Sequence, residues 1–238
     1  MPIGIGIGLS PLVRNWTVLN QSWYGIERDN AIVSPDWTRI ASSPAAMDLH
    51  RTLPVHQLFR PCVINTDKSV NYYLQNDLTK KADGSASNLS GTDGNVMSYQ
   101  TKSYWKFTEK VGTLERIKIS VNRQTAAGWV EITPQFYSCY EGKLVGTKLS
   151  SVSGVLPTNS RSETTFRADA RANGAGYEQQ WLKPYTELVH LFFIQFATNN
   201  FQKAVTPALT VEGYCQGGIG NGITTATGSE WSAFNGYN

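Results

Sequence analysis

Between Asn95 and Leu149 the chain is dominated by β-branched and aromatic residues, in the runs "NVMSYQTKSYWKFTEK", "LERIKISVN", "GWVEIT" and "QFYSCYEGKLVGTKL". Gly112, Gly128 and Glu141-Gly142 punctuate these runs as turn points. Short strands joined by tight turns must pair antiparallel, because a parallel crossover needs a dozen or more residues. This stretch therefore predicts an antiparallel sheet in the middle of the chain. Only 16% of the 238 residues are charged, below the roughly 25% usual for globular proteins. Strands and loops are favoured over long, charged surface helices.

The flanking segments carry different signals. In "IGIGIGL", Ile3, Ile5, Ile7 and Leu9 alternate with glycine, the period of a strand with one apolar face and one bare face. Glycine is a poor strand former, so such a segment needs a partner to order it; it is a candidate assembly arm, with a disordered chain end as the alternative. Pro35, Pro44, Pro54 and Pro61 break the following apolar pieces and forbid long helices there. "SVNYYL" reads as a strand, and residues 76–95, rich in Asp, Ser and Gly, as a long exposed loop. In "SRSETTFRADARANG", Ser162 or Thr164 can cap a helix that Asn173-Gly174 stops. A second helix is expected to open near Pro184 and run to about Asn199. Leu188, Val189, Leu191, Phe192, Phe193, Ile194, Phe196 and Ala197 surround it on nearly all sides, which predicts burial.

Several chemistries find little support. A net charge of +3 without a run of like charge argues against nucleic acid. Cys62, Cys139 and Cys215 are odd in number and lack CxxC spacing, so neither a disulfide framework nor a zinc knuckle is indicated. The amino terminus lacks a basic n-region, and no segment approaches the ~18–20 apolar residues of a membrane span. Asn15, Asn20 and Asn88 lie in N-x-S/T triplets that, without a secretory signal, read as chance matches. Gly174 and Gly176 give G-x-G, but Gln179 takes the third glycine place and a helix precedes them, so a helix stop is expected rather than a phosphate cradle. His50 and His56 lie in the proline-broken stretch, and His190, inside the second helix, reads as a hydrogen-bonded core histidine. No G-x-S-x-G elbow is present, and the carboxylates show no arrangement suggesting glycosidase chemistry. The loop around Asp77, Asp83 and Asp93 lacks the ligand spacing of a calcium loop and reads as solvated turns. No enzyme and no cofactor is expected. Carbohydrate binding asks only for aromatic faces and amide or carboxylate side chains, and Trp231, Phe234, Asn235, Tyr237 and Asn238 in the glycine-rich tail meet that requirement as a candidate ligand-binding set.

The order of several short motifs resembles virion fibre and receptor-binding proteins of tailed phages, especially those of gut Bacteroidales. "WYGIE", "SPDWTRI" and "DLHRTLPVHQLFRPCVI" are similar to that family's W-Y-G-V-E, S-P-x-x-T-R-I and L-H-R-x-L-P-I segments. "DGNVM", "YWKF" and "GWVEITPQFYSCYEG" follow, then "FRADARANG" and "LFFIQFATNNFQ". The match departs from the pattern at "SYQT" after Val96-Met97 and at Gln195-Phe196, and similar proteins continue beyond "WSAFNGYN" through another loop and a closing strand.

The resemblance, which extends to targets of diversity-generating retroelements, implies an α+β fold. In it a C-type-lectin-like domain, two helices packed on antiparallel sheets, follows an extended, β-rich N-terminal attachment segment. The expected division is residues 1–60 for attachment and oligomerisation and 61–238 for the lectin-like domain. The implied role is a head or tail fibre on a virion assembled in the bacterial cytoplasm. Its implied partners are capsid, portal or tail components, further copies of itself in a homotrimer, and a host-surface glycan or protein. The calcium-binding motifs of animal C-type lectins are absent. A purely structural collar or decoration protein and a polysaccharide-degrading tailspike are the alternatives.

Overall fold

The computed structural model describes residues 22–34, 36–155, 157–200 and 204. Among these the protein is α+β, with all strand pairs antiparallel. One sheet has the order β2-β1-β7-β6-β8, from strands Thr38–Ala41 (β2), Tyr24–Asp29 (β1), Leu114–Ser120 (β7), Tyr104–Val111 (β6) and Val130–Ile132 (β8). A second has the order β4-β3-β5-β9, from Val70–Tyr73 (β4), Phe59–Ile64 (β3), Asn95–Gln100 (β5) and Phe136–Ser138 (β9). Gly142–Val145 (β10) and Lys148–Ser151 (β11) form a separate hairpin. The expected mid-chain strands are all present. They are divided among three sheets rather than joined in one, because the two larger sheets each recruit strands from earlier in the chain.

The prolines act as anticipated. Between β2 and β3 the chain makes only 3₁₀ turns at Pro44–Asp48 and His56–Leu58 and one helical turn, Leu49–Thr52 (α1). The two expected longer helices are Glu163–Arg171 (α2) and Leu182–Phe196 (α3). Ser162 caps α2, its hydroxyl accepting from the Thr165 amide at 3.2 Å, a contact worth about 1 kcal/mol. Gly174, at φ 130°, follows its end.

The main core joins both large sheets to α3. Tyr24, Ile26, Ile117, Ile119 and Tyr104 from the five-stranded sheet meet Phe59 and Tyr137 from the other, with Leu191 and Ile194 of α3 between them. Gly25 sits where β1 runs against β7, and a Cβ there would collide with the Ile117 carbonyl oxygen. The expectation that α3 is buried on all sides holds only for its second half. Leu182 is 76% and Tyr185 55% exposed, while Leu191, Phe192 and Ile194 are enclosed with the polar Glu187 and Gln195.

Residues before position 60 do not form a segment apart from the lectin-like region expected after it. β1 lies between β2 and β7, and Tyr24, Trp37, Leu53, Val55 and Phe59 share the main core. The same stretch also supplies donors to the C-terminal carbonyls of α3, which no intrahelical amide satisfies. Arg39 Nη2 donates to Gln195 O at 2.9 Å, and Trp37 N donates to Ala197 O at 2.8 Å. A boundary at 60/61 would cut through this core and uncap α3. The arm residues Ile3, Ile5, Ile7 and Leu9 lie outside the described residues.

The polar stretch after β4 is more ordered than a long exposed loop. Leu78 and Leu89 are buried in a small core with Val63, Leu74, Val96 and Tyr140. Around them one local device recurs. Asp77, Asp83 and Asn88 each accept through Oδ1 from the amide and the hydroxyl of Thr79, Ser85 and Ser90 respectively. Asp67 does the same with Ser69 before β4. Such turns fold from their own side chains, which is why Asx and Ser/Thr two residues apart favour them.

Candidate functional site

Three clusters combine polar chemistry with enclosure, and they differ in how far they open to solvent. The first is centred on His56, fully enclosed in the main core. Its Nε2 lies 2.9 Å from Leu191 O and its Nδ1 3.5 Å from the Tyr24 hydroxyl, which accepts from Val55 N at 3.1 Å. Donation to a carbonyl requires the proton on Nε2, leaving Nδ1 to accept from Tyr24. Burial pushes the His56 imidazole down to about 4 and the Tyr24 phenol above its usual range. His50, the other histidine of the proline-broken stretch, reaches Ile40 O with Nε2 at 3.0 Å, and burial lowers its pKa as well. Both histidines spend ring nitrogens on backbone carbonyls.

The second cluster lies under α3. Lys106 Nζ of β6 sits 2.6 Å from Glu187 Oε2 and 3.3 Å from His190 Nδ1. Burial, then the Lys106 charge, pushes His190 down to about 4. Burial together with the Glu187 carboxylate raises the Tyr104 and Tyr137 phenols. His190 thus has a hydrogen-bonding partner within the protein, as expected of a core histidine. This arrangement holds α3 on the sheet, with an ion pair closed to solvent.

The third cluster is open. A groove of ≈ 730 Å³ runs between β9, the β10–β11 hairpin and the connection from α2 to α3. Its size falls in the range of about 300–1,000 Å³ typical of ligand sites. Part of its floor is the outer face of the four-stranded sheet, where alternation brings Cys62, Ile64 and Met97 to one side with Tyr73, Tyr99 and Phe136. Tyr99 and Phe136 stack with centroids 4.4 Å apart. The far wall is "GYEQQW", Gly176–Trp181.

That wall is held from several directions. Asn173 Nδ2 donates to Leu149 O at 2.7 Å, fastening the end of α2 to β11. Gly174 and Gly176, at φ 130° and 85°, then turn the chain through conformations that L side chains rarely adopt. They act as the stop and turn expected from sequence. Tyr177 OH donates to Asn65 O at 3.1 Å. Arg171 grips Glu178 Oε2 through Nη2 at 2.7 Å and Nε at 2.8 Å, and holds the Glu178 carboxyl below its ordinary range. Trp181, the residue before α3, remains 56% exposed at the groove edge. Gln179 Oε1 is shielded from solvent and has no hydrogen-bond partner. Gln100 Oε1 and Gln195 Oε1 in the core share that state. The groove is lined by aromatic and amide side chains.

The candidate ligand set Trp231, Phe234, Asn235, Tyr237 and Asn238 lies outside the described residues. Asp77 and Asp83 are committed to their own turns, and Asp93 accepts from Tyr72 OH at 2.9 Å. Among the described residues no group of three or more His, Cys, Asp or Glu is placed to hold a metal, and no helix is long and apolar enough to cross a membrane. Burial pushes the Cys62 thiol up to about 12 and Cys139 well above its usual value, so neither resembles a nucleophile. Sequence reasoning missed Tyr177, Gln179 and Trp181 as groove residues. The signal was present, since "YEQQW" concentrates aromatics and amides in a connector between helices, where a solubilising loop has no need of them.

Comparison with known proteins returns no matching family, no matching curated protein and no matching solved structure.

Proposed function

We propose that this protein is a bacteriophage virion component, forming a head or tail fibre or appendage whose C-type-lectin-like body binds the host surface. The observation that carries the reading is the open groove, lined by aromatic and amide side chains and framed by a connector pinned through Arg171–Glu178 and Tyr177–Asn65. A pinned wall needs little ordering when a ligand arrives, so more of the contact energy appears as affinity. The motif order and the pair of helices on antiparallel sheets support the lectin-like and virion parts of the reading. Many copies on one particle would make weak single sites sufficient through effective concentration.

The test is direct. Fluorescently labelled full-length protein is incubated with host cells and with an array of their surface glycans, and whole particles are imaged with the protein tagged. Binding to cells or glycans, with the tag on an outward appendage, is expected. No binding to either sinks the adhesin reading and leaves a spacer or decoration role; shortened oligosaccharides after incubation with host capsule would instead favour a tailspike.

A further inference from the structure

We infer that the groove between β9, the β10–β11 hairpin and the α2–α3 connection is a subsite for a short, uncharged oligosaccharide, with Trp181 as its stacking platform and Gln135 as a hydroxyl reader. The inference rests on the host-binding reading above and adds to it a ligand class and the residues that read it.

Three features select the class. The first is charge. Of the ionisable groups lining the groove, Glu178 is already neutralised by Arg171, with Arg167 Nε 3.6 Å from its other oxygen, leaving Lys68 and Glu141 of opposite sign. Such a lining offers no net field to draw in a phosphate, uronate or sialate, whose recognition uses Arg clusters and bidentate pairs. The second is the pairing of surface types. Trp181 is exposed at the groove edge, and Phe136, Tyr177, Gln135, Gln179 and Gln180 line the groove with it. A pyranose has the same duality, with C–H bonds on its faces and hydroxyls around its edge. Gln135 donates through Nε2 to Tyr137 OH at 2.6 Å, which leaves its carbonyl oxygen to accept. Such an oxygen takes a donor, and every sugar hydroxyl carries one.

The third feature weighs against a peptide. β9 is an edge strand inside the groove, but it spans only Phe136–Ser138. Strand addition draws its affinity from a row of main-chain hydrogen bonds, and three residues supply too few.

The experiment uses the full chain and saturation-transfer NMR with a panel of neutral di- and trisaccharides built from glucose, galactose, mannose and N-acetylglucosamine, plus a sialylated and a uronate-containing comparator. At least one neutral sugar is expected to receive saturation, undiminished at high salt. Trp181→Ala should weaken it by about tenfold or more, of the order that loss of an aromatic contact brings. Gln135→Leu should weaken it too, with the fold retained by circular dichroism, since it removes the accepting oxygen. Saturation confined to the acidic comparators, no saturation of any sugar, or full binding by both variants overturns the inference. Host-cell binding is scored in parallel. Variants that bind cells as the wild type does overturn this subsite and leave adhesion standing, whereas a wild type that binds no cells removes the adhesion reading and leaves the NMR result to judge the groove.

Discussion

The space under α3 and the groove beside its first turn lie on one helix, yet they differ in how far they close around their side chains. Beneath α3, Lys106 faces Glu187 and His190, while His56 and Tyr24 pass hydrogen bonds between Val55 and Leu191. At the groove, Trp181 is left exposed. Satisfied polar groups in a closed core specify how elements sit against one another. Side chains left exposed at an open wall contribute little to folding, and a ligand can cover them. The difference separates the part of α3 that maintains the fold from the part available for recognition.

Substitutions should expose this contrast, and the largest effect is expected at the ion pair. Glu187→Ala leaves the Lys106 ammonium buried beside His190 without its counter-charge, and should cost about 3–5 kcal/mol in urea unfolding. The double variant Lys106→Met/Glu187→Leu should recover most of that. If Glu187→Ala unfolds like the wild type, the pair is not closed to solvent and the contrast fails.

A smaller effect follows from pH. His56 and His190 have folded pKa values of about 4, against about 6.5 in an unfolded chain. The unfolded state therefore takes up protons first as pH falls, so the stability from keeping these rings neutral is complete above about pH 6.5 and is lost on descending towards pH 4. Between pH 7 and pH 5 the loss should be about 2 kcal/mol per histidine. Chemical unfolding at the two pH values measures it, and His56→Gln should reduce the slope.

The smallest effect belongs to the groove. Trp181→Ala should shift stability by no more than about 0.5 kcal/mol, as substitutions at exposed positions usually do, even while it weakens sugar binding. A large loss of stability would mean that the indole holds the connector in place, and the groove would then be part of the scaffold.

Much of the local structure was legible in the chain. Ser162 and Gly174 bracket α2 because a cap hydroxyl and a positive-φ glycine act within a few residues of their own position. The strands around Gly112 and Gly128 follow from short-range alternation and turns. The repeated Asx and Ser/Thr turns were equally local, but their composition read as a solvated loop; Leu78 and Leu89, which anchor it, were hidden among polar neighbours. His56 was visible only as a histidine near prolines, because its partners Tyr24 and Leu191 are 32 and 135 residues away.

By itself, the sequence determined where strands and helices start and stop and that long helices are excluded before β3, since propensity, capping and turn chemistry operate over a few bonds. Tertiary structure alone decided that residues 24–59 belong to the main core and cap α3, that Lys106 meets Glu187, and that a sheet face and a helix connector enclose a groove. Those outcomes depend on strand register and on which buried groups find partners across the fold. A local pattern carries neither, because many arrangements share one alternation and only packing selects among them.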